Sequence, residues 1–95
     1  MTECNQVCLT GIINKVYPPL TTPSGVSVTR FIVQHESWQV ENQHSRKVKC
    51  RIFCVWLGAT APLVGETDPV KVTGFLSMNS QNKLVLHITN IEYLN

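Results

Sequence analysis

Ninety-five residues, 43% hydrophobic and 15% charged, are enough for one compact domain over residues 1–95, near the lower size at which a single core holds without staples. A net charge of +2 is too small to argue for a polyanionic partner from the total alone. The opening MTECNQVCLT has no basic n-region and no apolar h-region, and no apolar run approaches about 18 residues, so a cytosolic chain without membrane contact is expected.

The first extended segment runs from about Val7 to Tyr17. PPLTTPSG, residues 18–25, with three prolines and a terminal glycine, reads as a loop. A second strand from Val26 to Trp38 is rich in β-branched and aromatic residues, and polar QVENQHS, 39–45, reads as a hairpin tip. The third strand spans Arg46 to Leu57, and GATAPLVGETDP after it, broken by Pro62, Gly65 and Pro69, leaves room for a single helical turn at most. A fourth strand from Val70 to Met78 and a fifth over KLVLHITNIEYL, residues 83–94, flank the turn NSQN.

Five strands without a convincing helix predict an all-β fold, a small barrel in which Gly11 and Gly74 permit the bends or bulges that closure requires. The five-stranded Greek-key OB-fold fits best, and an SH3-like barrel is the runner-up.

The third strand carries the charge. Of the eight Lys and Arg residues, Arg46, Lys47, Lys49 and Arg51 fall within six positions, and no Asp or Glu occurs between Glu41 and Glu66. Lys47, Lys49 and Arg51 alternate with Val48, Cys50, Ile52, Cys54 and Trp56, so the basic set projects from one face at intervals of about 6.6 Å and the apolar set fills the barrel. Such a row meets successive phosphates of an extended strand. The competing reading is an ordinary solvated strand face, or an edge kept charged against aggregation. Trp38 shares its phase with Arg30, Gln34 and Glu36 and points outward as a base-stacking candidate, unless it only packs the hairpin end. Phe53, Val55 and Leu57 continue the basic face as an apolar one, which the barrel's curvature or a second subunit has to cover.

Cys4, Cys8, Cys50 and Cys54 form two C-x3-C pairs. On a strand such partners lie about 13 Å apart, too far to share a metal, so they read as small buried hydrophobes and no metal or cofactor is expected. His35, His44 and His87 sit in no nucleophile or metal motif, which leaves catalysis a weak choice. His87 is expected to satisfy a backbone group, and His44 to join the basic patch.

PSGVSVTRFIVQHES at 23–37, Glu36-Ser37-Trp38-Gln39, the basic third strand and VKVTGFLSMNSQNKLVLHITNIEYL at 70–94 together resemble the primosomal replication protein N (PriB) family, dimeric bacterial relatives of single-stranded DNA-binding proteins. The resemblance spans nearly the whole chain. It implies an SSB-like OB-fold homodimer acting in bacterial replication restart in the cytoplasm at forks, binding single-stranded DNA, stabilising the PriA helicase, working with DnaT-type primosome proteins and promoting helicase loading. The chain stops at Asn95, directly after the fifth strand, without the long acidic-tipped tail of the main single-stranded DNA-binding protein, so an accessory role is expected. Carried over residue by residue, the family's sites fall on Lys15, His44, Arg46, Lys49 and Lys83. Arg30, Trp38, Lys47 and Arg51 complete the expected nucleic-acid contacts. Two positions depart from the family: some relatives have tryptophan where Lys49 stands, and SMNSQNK holds one lysine in a loop that is longer and richer in lysine elsewhere. The alternatives are a protein-interaction adaptor for the helicase and a small RNA-binding OB protein.

Overall fold

A computed structural model describes residues 2–58 and 63–94. Its strands are β1 (Val7–Val16), β2 (Leu20–Thr21), β3 (Ser27–Glu41), β4 (His44–Leu57), β5 (Pro69–Met78) and β6 (Leu84–Tyr93). The five expected strands are all present. The sixth, β2, lies inside the segment expected to be only loop, where Leu20 and Thr21 pair with Val28 and Ser27. Residues 59–62, where a helical turn was allowed, lie outside the described residues.

The sheet order is β1-β5-β6-β4-β3-β2, and β1 also pairs with β3, which closes the barrel. One strand serves both neighbours by dividing its length: Val7 to Ile12 pair with β5, and Ile12 to Val16 pair with β3 past a bulge between Ile13 and Lys15. β4 and β6 run parallel, with Cys54 opposite Leu86, while the other pairs are antiparallel. This is an all-β OB-fold-like barrel.

Both in-strand glycines sit where backbones approach too closely for a side chain. A Cβ at Gly11 would overlap the Gln34 carbonyl oxygen, and one at Gly74, beside the register shift at Thr73/Gly74, would overlap that of His87. The core enclosed by the barrel is Ile13, Phe31, Val33, Cys54, Val70, Val72, Leu86 and Ile88. Ile52 and Trp56 pack against it half-buried, as their phase predicts.

The β3–β4 hairpin is longer than expected. Pairing runs from Val28/Leu57 to Glu41/His44, and only Asn42 and Gln43 turn, both with positive φ (51° and 65°), as in a type I′ hairpin. Residues 39–41, 44 and 45, expected in the tip, are strand. β1 pairs with β3 no further out than Gln34, so beyond it the ribbon stands off the barrel, about 17 Å of extended chain from Glu36 to Glu41.

That departure corrects the cysteine reading. Cys54 lies inside the barrel and is fully buried, whereas Cys50, two steps out along the same face beyond Ile52, is exposed, as are Cys4 and Cys8. Burial pushes the Cys54 thiol up to about 12, against a small opposing hydrogen bond from the Val33 backbone.

Candidate nucleic-acid interface

Cross-strand partners share a face, so the register sorts every basic side chain. Trp38 lies opposite Lys47, Glu36 opposite Lys49, Gln34 opposite Arg51 and Ile32 opposite Phe53. Lys15 lies opposite Ile32 on the other side of β3. One face of the sheet therefore carries Lys15, Arg30, Trp38, Lys47, Lys49, Arg51 and Phe53. Lys83, one residue before β6, borders the same surface in a depression shared with Tyr17, Ile32, Arg51 and Phe53.

His44 and Arg46 do not join them. They fall on the alternate phase, opposite Glu41 and Gln39, and face the other side of the ribbon. There the Arg46 guanidinium donates to a Glu41 carboxylate oxygen at 3.0 Å. Parity alone carried the signal: positions 44 and 46 are even, and the basic row is odd.

The inner end of the face is aromatic. The Tyr17 and Phe53 rings meet edge to face, with centroids 5.6 Å apart. Lys15 Nζ sits 4.7 Å above the Tyr17 ring centroid, and the Arg30 guanidinium carbon lies 5.4 Å from it. Arg30 also donates to the Pro18 carbonyl at 3.0 Å, and its buried Nε has no partner among the described residues. Arg30 thus acts on the loop and on Tyr17. Phe53 and Tyr17 were not among the residues expected to touch bases; Phe53 showed its phase in the sequence, whereas Tyr17 becomes a neighbour only through the β1–β3 crossing.

The short β5–β6 loop is organised by Asn79, whose side-chain oxygen accepts the backbone N–H groups of Gln81 and Lys83 at 2.9 and 3.1 Å. This positions Lys83 beside the depression. Trp38, at the outer end, is 69% exposed, so it does not pack the hairpin end.

The absence of acids between positions 41 and 66 does not leave the row unopposed, because β3 supplies them across the ladder. Glu36 lies between two ammonium groups, Lys47 at 3.3 Å and Lys49 at 3.6 Å. The Lys47 ammonium, by hydrogen bond and by charge, holds the Glu36 carboxyl below its ordinary 4.5, and Lys49 acts in the same direction. Arg51, Lys15 and Lys83 take part in no ion pair among the described residues.

The apolar tail of β4 is largely covered by the chain itself. Val55 is buried and Phe53 lies against Tyr17, leaving Leu57 as the exposed member. His87 finds a side-chain partner instead of the expected backbone group: its Nε2 is 2.8 Å from the Ser77 hydroxyl, and its ring stacks on Phe75. His35 bridges β1 and β3, with Nδ1 at 2.6 Å from the Thr10 carbonyl oxygen and Nε2 at 2.8 Å from the Ser37 hydroxyl. Among the described residues, no three His, Cys, Asp or Glu side chains converge as a metal site would require.

Comparisons with known proteins show the fold and the family. A family model described as another single-strand binding protein family matches residues 5–90. Replication restart protein PriB of Neisseria meningitidis serogroup C is 39% identical over 92 residues, covering 93% of this chain and 92% of its own. The same protein of Serratia proteamaculans is 31% identical over 98 residues, covering 95% and 93%. Among solved structures, PriB of Ralstonia solanacearum superposes with a TM-score of 0.87 at 22% identity, over 98% of this chain and all of that one. The single-stranded DNA binding protein of Thermus aquaticus gives 0.76 at 18% identity, over 97% of this chain and 50% of that one. On near full-length similarity at up to 39% identity, the chain belongs to the replication restart protein PriB family, within the single-strand binding proteins.

Proposed function

We propose that this protein is a non-catalytic accessory of the bacterial replication-restart primosome that binds single-stranded DNA through the Lys15–Lys83–Arg51–Lys49–Lys47 face of its barrel. One observation carries the reading: a continuous surface unites a row of cations, an aromatic pair and an exposed tryptophan. Phosphates follow the cations, while bases stack on Trp38 and against Tyr17 and Phe53, each stack contributing about 1–3 kcal/mol. His44 and Arg46 serve the opposite side of the ribbon, where a strand wrapping the arm meets them.

In this reading residues 1–95 act as one domain in the cytoplasm, at forks, where the protein stabilises a PriA-type helicase, works with DnaT-type proteins and promotes helicase loading. The functional unit is a homodimer. Support comes from the family resemblance and from the edge of β1 over Val7 to Gly11, which faces away from β5 and pairs with no strand among the described residues.

The test is fluorescence anisotropy with an unstructured oligonucleotide across a salt series. Replacing Lys49 and Arg51 with alanine is expected to weaken binding and to flatten the salt slope by about 0.7 per lost phosphate contact. Unchanged affinity and slope would refute the platform.

A second reading, an adaptor that docks the helicase and touches DNA weakly, is favoured by the ion pairs that already occupy Arg46, Lys47 and Lys49. Separate titrations of oligonucleotide and helicase distinguish them, since an adaptor binds helicase at concentrations where oligonucleotide gives no response.

A further inference from the structure

Lys47 and Lys49 each lie near a different oxygen of one carboxylate, Lys47 at Oε2 and Lys49 at Oε1 of Glu36. Glu36 stands directly across the ladder from Lys49 and diagonally from Lys47, so the register places an anion between neighbouring cations of the row. A phosphate bridging the same two ammonium groups would need that position. All three side chains are substantially exposed, so the pairs are weak and exchangeable.

We propose that Glu36 is an internal competitor for phosphate, an affinity-setting residue that holds the outer half of the row in a partly neutralised state until a nucleic-acid strand displaces it. This inference rests on the DNA reading of the face and deepens it. Bound to Glu36, the two lysines present one net positive charge instead of two. Fewer counterions are then released from an incoming strand by this part of the surface, and both affinity and salt dependence are lower than the count of lysines implies. The inner cations Lys15, Arg51 and Lys83 have no such competitor among the described residues, so the first contacts form at the barrel and the arm engages second.

The experiment compares the full-length protein with Glu36→Gln and Glu36→Asp, using a labelled oligothymidylate over a salt series. Glu36→Gln keeps the size and removes the charge. It is expected to bind about three- to tenfold more tightly at moderate salt, with a salt slope steeper by about 0.7, for the one net charge regained. Glu36→Asp, which keeps the charge, is expected to retain the wild-type slope, an outcome that a purely structural role would not produce. The gain in Glu36→Gln is expected to vanish when Lys47 and Lys49 are also alanine. Wild-type slope in Glu36→Gln, while Arg51→Ala still weakens binding, overturns the competitor and leaves the DNA face standing. No oligonucleotide binding by either protein overturns both.

Discussion

Arg30 and Arg51 stand on one face of the sheet but serve it differently. Arg51 is exposed and takes part in no ion pair among the described residues, whereas Arg30 is committed to the Pro18 carbonyl and the Tyr17 ring. Arg51→Ala is therefore expected to lower affinity and flatten the salt slope, and Arg30→Ala to lower affinity with the slope retained, because it loosens the aromatic pair and removes no phosphate contact. Equal slope changes in the two variants would contradict this division. The thiols differ as sharply. Cys4, Cys8 and Cys50 are exposed and expected to react with an aromatic disulfide reagent in the native protein, with Cys54 reacting only on unfolding. Since burial raises Cys54 from 9.0 to about 12, the native state holds that proton more tightly than the unfolded chain. Its contribution to stability is full below about pH 9 and declines as pH rises toward 12. A denaturation midpoint followed from pH 8 to 11 should fall, and Cys54→Ala should fall less.

At the scale of elements, the barrel depends on close backbone crossings and the hairpin on its turn. A side chain at Gly74 would meet the His87 carbonyl, which cannot swing aside as a flexible side chain can. Gly74→Ala is expected to cost about 1–3 kcal/mol, measured as a lower urea midpoint with an unchanged slope. Both glycines were legible as bends because a glycine inside an apolar strand has few other uses. The length of the hairpin was less legible: QVENQHS is polar except for Val40 and carries no Asn-Gly signal, so its strand ends looked like loop. In the structure Gln39 to Glu41 and His44 to Arg46 hold one another through the ladder, which no local preference announces.

At the scale of the whole molecule, a barrel with a projecting two-stranded arm reaches 50 Å along its longest axis, and the basic face runs from the barrel out along that arm. Binding is expected to be divisible: alanine at Lys15 and Lys83 should weaken short and long oligonucleotides alike, and alanine at Trp38 should weaken mainly those long enough to reach the arm. A length series of oligothymidylates reads this directly, and equal losses at every length would count against it. Sedimentation at micromolar concentration tests the homodimer, for which twice the chain mass is expected and the chain mass alone would exclude it.

The alternation of polar and apolar residues determined by itself that this chain is a small all-β barrel, that Lys47, Lys49 and Arg51 form one row and that Trp38 points outward. Period-two alternation is a local property, readable wherever a strand is half buried. Only the tertiary structure decided what stands beside that row. Glu36 reaches it from β3 and Tyr17 from just past β1, His44 and Arg46 fall on its far side, and Cys50 escapes burial because the ribbon has already left the barrel. Each of these depends on cross-strand register and on where one strand parts from another, which are relations between distant segments and not properties of any one of them.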